Sequence, residues 1–194
     1  MLAPEQVKAI LQETSAVQEG HFLLSSGLHS PVYIQCALVF QHPHQAARLG
    51  AEMAELFAGE RVDVVISPAV GGIVAGQEVA RALGARAIFA ERESGVMRLR
   101  RDFRIRPGER VLVVDDVMTR GGSVGETLQV VRSSAGEAVG IAVVVDRSGG
   151  DLDWEEPLRS LIRMEAVTYP PEECPLCRDG LPLVKPGSRK QESP

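Results

Sequence analysis

Short apolar runs rich in β-branched residues alternate with helical stretches from about residue 60 onward, and this alternation constrains the fold most. The apolar runs cover residues 62–67, 87–91, 110–115 and 139–146, and helical periodicity marks residues 73–83 and 123–135. Continuous apolar strands joined by helices are typical of a parallel sheet that is buried on both faces. The sequence therefore predicts an α/β fold with a doubly wound parallel sheet, whose core spans about residues 60–150.

The remaining segments are predicted to surround this core within a single domain, residues 1–194. Helices are expected at 4–11 and 44–58, and a flap or small lobe at 20–40. Residues 94–106 are expected to form a β-hairpin that turns at Glu93-Ser94-Gly95. From residue 170 the chain is rich in proline, so we expect an extended tail with a frayed end.

Charge and composition limit the possible partners. The net charge of −5 argues against nucleic-acid binding through a global basic field. No apolar run approaches the roughly 20 residues of a membrane span, and the N-terminus does not resemble a secretory signal. We therefore expect a cytoplasmic protein with neither a membrane nor a nucleic acid as partner. Lysine occurs only at positions 8, 185 and 190, so an anion bound between residues 11 and 184 must use arginine or protonated histidine.

The most informative motif is VLVVDDVMTRGGSV, residues 111–124. A buried strand ends in Asp115 and Asp116, and the loop 119–123 then opens a helix. Ligands of open α/β sheets bind beyond the carboxyl ends of the strands, and a glycine loop at a helix N-terminus suits a phosphate. The two carboxylates can accept hydrogen bonds from neighbouring sugar hydroxyls, so the motif favours ribose 5-phosphate. The alternative is that the carboxylates cap the next segment and the glycines make a plain turn. The Walker motif is excluded because its lysine is absent.

This motif resembles the phosphoribosyl pyrophosphate (PRPP) signature of the type I phosphoribosyltransferases. The resemblance implies a parallel sheet topped by a mobile loop and a hood over the base. It also implies Mg²⁺ carried on the diphosphate of PRPP, with no protein side chain as a direct metal ligand. The PRPP-binding residues that it implies are Asp115, Asp116, Val117, Met118, Thr119, Arg120, Gly121, Gly122 and Ser123, with Gly71 and Gly72 of the loop 67–72.

The glycines of the two loops are expected to adopt backbone conformations that other residues avoid. The loop 67–72 has glycine where the best-known orotate enzymes commonly carry a lysine. Its backbone role can survive, since Gly71 and Gly72 permit unusual dihedrals and close approach to a diphosphate. Gly122 is expected to adopt a positive φ and to leave room for the phosphate, so a β-branched residue there should abolish PRPP binding.

Residues 20–40 resemble the orotate-side segment of orotate phosphoribosyltransferases, a Ser-Gly followed by Ser-Pro and an aromatic residue. The resemblance assigns base contacts to Ser25, Ser26, Gly27, Tyr33, Ile34, Thr119 and Arg147. Orotate carries a carboxylate, to which an arginine can make a bidentate, charge-assisted contact. The alternatives are an ordinary surface arginine at a strand end and ordinary half-buried packing for the tyrosine.

Three arginines are candidates for catalysis, namely Arg92, Arg98 and Arg100. The first follows the predicted strand 87–91 and matches an arginine that the family uses near pyrophosphate. The other two lie in 96–106, where a period of two places Met97, Leu99, Phe103 and Ile105 on one face and Arg98, Arg100, Arg104 and Arg106 on the other. The basic face can close over an anionic leaving group, or it can be a solvated edge. If the apolar face packs in a twofold interface, each ribbon would cover the PRPP of its neighbour in a homodimer.

Cys174-Pro-Leu-Cys177 is half of a structural zinc site, and the sequence contains no second Cys-x-x-Cys pair. A plain turn between prolines is the favoured interpretation, and a dimer that joins two halves is the alternative. The spacing of the four histidines (His21, His29, His42 and His44) fits no metal motif.

The resemblance implies that orotate and PRPP are converted to orotidine 5′-monophosphate and pyrophosphate, a step of pyrimidine synthesis. The chain lacks the usual lysines of the mobile loop and carries a Cys-Pro-Leu-Cys tail. In both respects it resembles a branch of these enzymes from thermophilic microbes. Two alternatives remain open at this point. One is a phosphoribosyltransferase for a purine or another base, and the other is a non-catalytic regulator that senses PRPP.

Overall fold

The computed structural model describes residues 1–24, 26–150 and 152–186. The strands are β1 (Val17–Leu23), β2 (His29–Ile34), β3 (Val64–Pro68), β4 (Arg86–Glu93), β5 (Val96–Leu99), β6 (Arg110–Met118), β7 (Glu137–Asp146) and β8 (Leu158–Arg163). The helices are α1 (Pro4–Glu13), α2 (Ala37–Phe40), α3 (Pro43–Glu55), α4 (Gly72–Leu83), α5 (Gly122–Ser133) and α6 (Pro175–Arg178), with a 3₁₀ turn at Pro171–Glu173.

The main sheet has the strand order β5-β4-β3-β6-β7-β8. All neighbours in it are parallel except β5, which runs antiparallel to β4. Both faces are buried, because alternate residues of the central strands enter two separate apolar clusters. Helices α1, α3 and α4 cover one face and α5 covers the other. The predicted doubly wound α/β core is therefore confirmed.

The β4–β5 hairpin turns where the sequence predicts it, with φ of 50° at Ser94 and 84° at Gly95. The extended ribbon predicted up to residue 106 is wrong, however. Strand β5 ends at Leu99, and the chain turns because Arg101 and Asp102 adopt φ of 56° and 59°. The apolar residues of this segment already pack within the same chain. Met97 and Ile105 are buried, and Leu99 and Phe103 are half-buried, in the cluster formed with α5 of the same chain. The apolar face therefore gives no reason to expect a dimer.

A second, two-stranded sheet is formed by β1 and β2, and the tail packs against it. The backbone of Val184 exchanges hydrogen bonds with β1, and Tyr169 exchanges a pair with His29 at the start of β2. The tail therefore returns to the 20–40 lobe and contains two short helical turns, which corrects the expected extended conformation up to residue 186. Among the described residues, no helix is long and apolar enough to span a membrane.

Candidate active site

The acidic pair lies near the carboxyl end of β6. The N–H of Asp116 donates to Oδ1 of Asp115 at 2.9 Å, and the N–H of Val117 donates to Oδ1 of Asp116 at 2.8 Å. Burial, and then the negative charge of Asp116, hold the pKa of Asp115 well above its usual value, and burial also raises the pKa of Asp116. Asp115 is buried and Asp116 is half-buried. Two adjacent carboxylates shielded from water in this way are stabilised by donors or cations from outside, such as the hydroxyls of a sugar.

The loop Thr119–Ser123 connects this pair to α5. Gly121 caps the helix with a φ of 70°, and its carbonyl accepts from the N–H of Gly125 at 2.8 Å. The 12-residue helix thus points its free N–H groups into a cleft of about 280 Å³, where an anion is favoured. The cleft is lined by Arg92, Asp115, Val117, Met118, Thr119, Arg120, Gly121, Gly122, Ser123 and Val124.

The expected positive φ falls on Gly121 and not on Gly122. A Cβ at Gly122 would meet no atom within 4 Å, whereas a Cβ at Gly121 would lie 2.6 Å from Cζ2 of Trp154 and 2.9 Å from Cδ1 of Leu152. The left-handed turn and the close approach of the tryptophan both require glycine at Gly121. The positive φ expected at Gly122 was wrong because the sequence does not show which of two adjacent glycines carries the turn. The loss of PRPP binding expected for a β-branched residue at Gly122 stays a prediction.

The loop between β3 and α4 lies directly against the acidic pair. A Cβ at Gly71 would be 3.1 Å from both carboxylate oxygens of Asp116, and one at Gly72 would be 3.0 Å from Oδ1 of Asp115. Gly71 has an ordinary helical conformation (φ −60°, ψ −44°), so the expected unusual dihedral is wrong at this residue. Glycine is needed here for the close approach of backbone to carboxylates, which places the predicted diphosphate loop beside the predicted ribose site.

A second cleft of about 450 Å³ adjoins the first and shares Val117, Thr119 and Arg120 with it. Its walls come from the β1–β2 lobe, the ends of β6 and β7, and the tail. They are formed by Leu23, Leu24, Ser26, Leu28, Tyr33, Ile34, Val117, Thr119, Arg120, Arg147, Ser148, Ala166, Thr168 and Pro186. Of the predicted base contacts, Gly27 instead forms the nearby turn with a φ of 84°, and Ser25 lies outside the described residues.

Arg147 is the buried cation of this second cleft, with only 8% of its surface exposed. Its backbone N–H donates to the carbonyl of Met118 at 2.8 Å, which fixes it beside Thr119 at the end of β6. Its Nε has no hydrogen-bond partner among the described residues. Burial lowers the pKa of Arg147, as expected for a cation taken out of water. A buried guanidinium whose Nε has no partner among the described residues, and which borders a cleft, calls for an anionic ligand.

Tyr33 connects the second cleft to the acidic pair. It is half-buried and stacks at a tilt on Phe22, with 5.7 Å between ring centroids. Burial raises the pKa of Tyr33, and the charge of Asp116 adds to the effect. Tyr33 lines the second cleft and Asp115 lines the first, and the two clefts share three residues, an arrangement with room for a planar base joined to a ribose.

The structure separates the three candidate arginines. Arg92 borders the phosphate-loop cleft, where its Nε donates to Glu126 at 3.0 Å and its Nη2 donates to Ser123 at 3.3 Å. Arg98 is exposed on β5, and Arg100 pairs with Glu93 at 3.4 Å. Neither Arg98 nor Arg100 lines either cleft of the described chain.

Sequence reasoning missed the tail as a wall of the second cleft. Pro186 of the tail, and Ala166 and Thr168 just before it, reach this cleft because their segment pairs through its backbone with the β1–β2 lobe, a contact between residues more than 130 positions apart. Ser148 was missed as well, although its position two residues after Asp146 is a usable signal. Its N–H and hydroxyl both donate to Oδ1 of Asp146, at 2.9 and 2.6 Å.

This fold, with an acidic pair at a strand end next to a phosphate loop, defines a phosphoribosyltransferase. Residues 39–170 match the family described as phosphoribosyl transferase domain. The orotate phosphoribosyltransferase of Caldanaerobacter subterraneus subsp. tengcongensis is 54% identical over 186 residues, 96% of this chain and 98% of the relative. That of Pelotomaculum thermopropionicum is 55% identical over the same shares of the two chains.

A crystal structure of orotate phosphoribosyltransferase from Aeropyrum pernix superposes with a TM-score of 0.70 at 27% identity, covering 81% of this chain and 93% of that one. The chain therefore belongs to the orotate phosphoribosyltransferases. The predicted likeness to the branch from thermophilic microbes is confirmed.

Proposed function

We propose that this chain transfers ribose 5-phosphate from PRPP to orotate, giving orotidine 5′-monophosphate and pyrophosphate in pyrimidine synthesis. The observation that carries the choice of base is the buried Arg147, whose Nε is unpaired among the described residues and which borders the second cleft. A carboxylate on the base would complete this guanidinium with charge-assisted hydrogen bonds. Adenine and guanine have no carboxylate to offer, and the full-length relatives named above support the same choice.

PRPP would lie across the two clefts. Its 5-phosphate would accept from the N–H groups of the loop Thr119–Ser123 at the start of α5, and its ribose hydroxyls would donate to Asp115 and Asp116. The anomeric carbon would then face the second cleft, where Tyr33 and Ile34 form a surface for the pyrimidine. This placement rests on the shared residues of the two clefts and on the approach of the loop 67–72 to the acidic pair.

The diphosphate of PRPP would lie against Gly71 and Gly72. The loop from Ser67 to Gly72 contains no cationic side chain, so neutralising charge must come from elsewhere. Mg²⁺ carried on the diphosphate would supply this charge, which fits a loop that has no cationic side chain of its own. When bound, Mg²⁺ supplies positive charge to the departing diphosphate. Of the candidate arginines, Arg92 is the one that borders the PRPP cleft.

The reaction breaks the bond between the anomeric carbon and the diphosphate oxygen, which leaves with the bonding electrons. A bond then forms from the base nitrogen to the same carbon on its opposite face, and the proton that this nitrogen carried is released to solvent. The negative charge of orotate is on its carboxylate, so the residues mainly hold geometry and balance charge, and this one proton is the only one that moves. Arg147 fixes the orientation of the base, and the acidic pair fixes the ribose in line with it.

The active site would be completed across a homodimer, with Arg98 and Arg100 of one subunit covering the PRPP of the other. Both side chains are exposed and line neither cleft of their own described chain, which is compatible with a role in a partner's site. The proposal rests on this exposure of the two arginines.

We also propose a cytoplasmic setting for this reaction. The three cysteines are all unpaired as thiols, which suits a reducing compartment. PRPP and orotate, the partners proposed here, are both charged small molecules.

The base selectivity is tested by pyrophosphate release with PRPP, Mg²⁺ and a panel of orotate, uracil, adenine and guanine. Orotate should have the highest kcat/KM, and uracil, which lacks only the carboxylate, should be lower by at least about tenfold because a charge-assisted contact is lost. Uracil is the matched control, since it has the same ring. Faster turnover of a purine, or equal turnover of uracil and orotate, would contradict the assignment.

A further inference from the structure

Two histidines and two cysteines converge at a place that the proposed reaction does not use. His21 and His29 come from the β1–β2 lobe, and Cys174 and Cys177 come from the tail. Their potential ligand atoms all lie within 4.8 Å of one another, and all of the residues except Cys177 are buried. The histidine spacing was expected to fit no metal motif, and that expectation considered neighbours in sequence only.

Of four separations within this Cys₂His₂ cluster, three fall in the range expected around a single tetrahedral ion, and the one between His21 and His29 is shorter. Nε2 of His21 lies 2.9 Å from Nδ1 of His29, 3.5 Å from Sγ of Cys174 and 3.7 Å from Sγ of Cys177. Sγ of Cys177 lies 3.3 Å from Nδ1 of His29. Ligands at the usual Zn–N and Zn–S lengths would be separated by roughly 3.3–3.8 Å along the edges of a tetrahedron.

The ring of His21 is held by a hydrogen bond from the nitrogen that faces away from the cluster, as in most metal-binding histidines. Nδ1 of His21 lies 2.8 Å from the carbonyl oxygen of Leu181, so this nitrogen carries the proton and donates it. Nε2 then has a lone pair directed into the cluster. The β1–β2 register also shifts between Glu19 and Phe22, and this irregularity lets the consecutive residues His21 and Phe22 both be buried.

The two cysteines are presented by a tight turn. Cys174 precedes the first residue of α6, and its carbonyl accepts from the N–H of Arg178 at 3.3 Å, which brings Cys177 back to the same side. A Cys-x-x-Cys turn with two histidines supplies the four N and S ligands of a closed structural zinc site.

We propose that the Cys₂His₂ cluster binds one Zn²⁺ ion per chain and fastens the tail to the β1–β2 lobe. Two thiolates balance the charge of the ion, so the group can be buried without a net charge. Both joined segments line the second cleft, through Leu23 and Leu24 on the lobe and Pro186 on the tail. The ion would therefore hold two walls of that cleft together without touching a ligand in it.

The proposal is tested by metal content of the untagged protein, purified without chelators under reducing conditions and measured by mass spectrometry of the elements. We expect one equivalent of zinc per chain. Cys177→Ser should lose most of it, and since Cys177 is exposed, this variant has the best prospect of folding. The matched controls Cys36→Ser and His44→Asn change the same residue types outside the cluster and should keep their zinc.

A second measurement does not depend on any variant folding. Wild-type protein reloaded with Co²⁺ should show the visible ligand-field bands of tetrahedral cobalt and thiolate-to-metal charge transfer. Removal of the metal should lower the thermal midpoint, and Zn²⁺ should restore it. Metal-free native protein that takes up neither ion would overturn the proposal, as would a disulfide between Cys174 and Cys177. Zinc retained in Cys177→Ser at the wild-type level would place the metal elsewhere and overturn it as well.

Discussion

Replacing Arg147 by alanine should reduce activity with orotate while leaving the fold as stable as before. The guanidinium is buried, and its Nε is unpaired among the described residues, so the unliganded protein bears the cost of a desolvated charge. Loss of a charge-assisted hydrogen bond costs about 1.5–3 kcal/mol, which corresponds to a fall in kcat/KM for orotate of roughly 10- to 150-fold. PRPP does not contact this side chain in the proposed placement, so its affinity should stay within about threefold.

The assay combines steady-state kinetics at varied orotate with calorimetry for PRPP and a thermal melt. Arg61→Ala is the matched control, because it removes an exposed arginine that precedes β3 and pairs with nearby Asp63. It should change kcat/KM by less than about twofold, as a surface ion pair contributes little. The reasoning is refuted if Arg147→Ala melts several degrees lower with orotate kinetics unchanged, since the arginine would then serve the fold.

Three further outcomes are expected. Gly121→Ala should lower the free energy of unfolding by about 2–4 kcal/mol, because residue 121 has a left-handed φ and the added Cβ would clash with a tryptophan. Gly122→Ala should lower it by under about 1 kcal/mol, and equal urea midpoints for the two variants would contradict this. Asp115→Asn should raise the thermal midpoint at neutral pH. The native pair has raised pKa values and binds protons more tightly than the unfolded chain, so wild-type stability is lost as pH rises through the native pKa. The gain should shrink in melts at lower pH, and a gain that is constant with pH would contradict this. Finally, mixing inactive Asp115→Asn with an inactive Arg98→Ala/Arg100→Ala protein should restore activity in heterodimers; proven exchange without recovery would rule out shared sites.

The sheet and the phosphate loop were predictable because their signals are local. A buried parallel strand reads as a continuous apolar run, and Asp115 and Asp116 end that run within a few residues of the loop. The base-side lobe at 20–40 was predictable as a lobe but not as the hairpin β1–β2. Strand β8 was missed because its sequence, LRSLIR, mixes charge and apolar residues without a clear period.

The remaining errors come from contacts that sequence spacing does not show. The sequence pattern extends a period of two from residue 96 to residue 106, but the backbone turns at Arg101 and Asp102. Cys177 and His29 lie 148 positions apart and meet only because the tail pairs with the lobe. Long-range pairing of this kind depends on the folded chain as a whole, so local periodicity carries no trace of it.

The central claim is that the two adjoining clefts carry out a transfer and do not merely bind PRPP. It is tested most directly by incubating the protein with orotate, PRPP and Mg²⁺ and quantifying both products by mass spectrometry and a pyrophosphate assay. We predict orotidine 5′-monophosphate and pyrophosphate in equal amounts, with neither formed when orotate is omitted. PRPP that binds by calorimetry but is not converted, or pyrophosphate released without the nucleotide, would contradict the account.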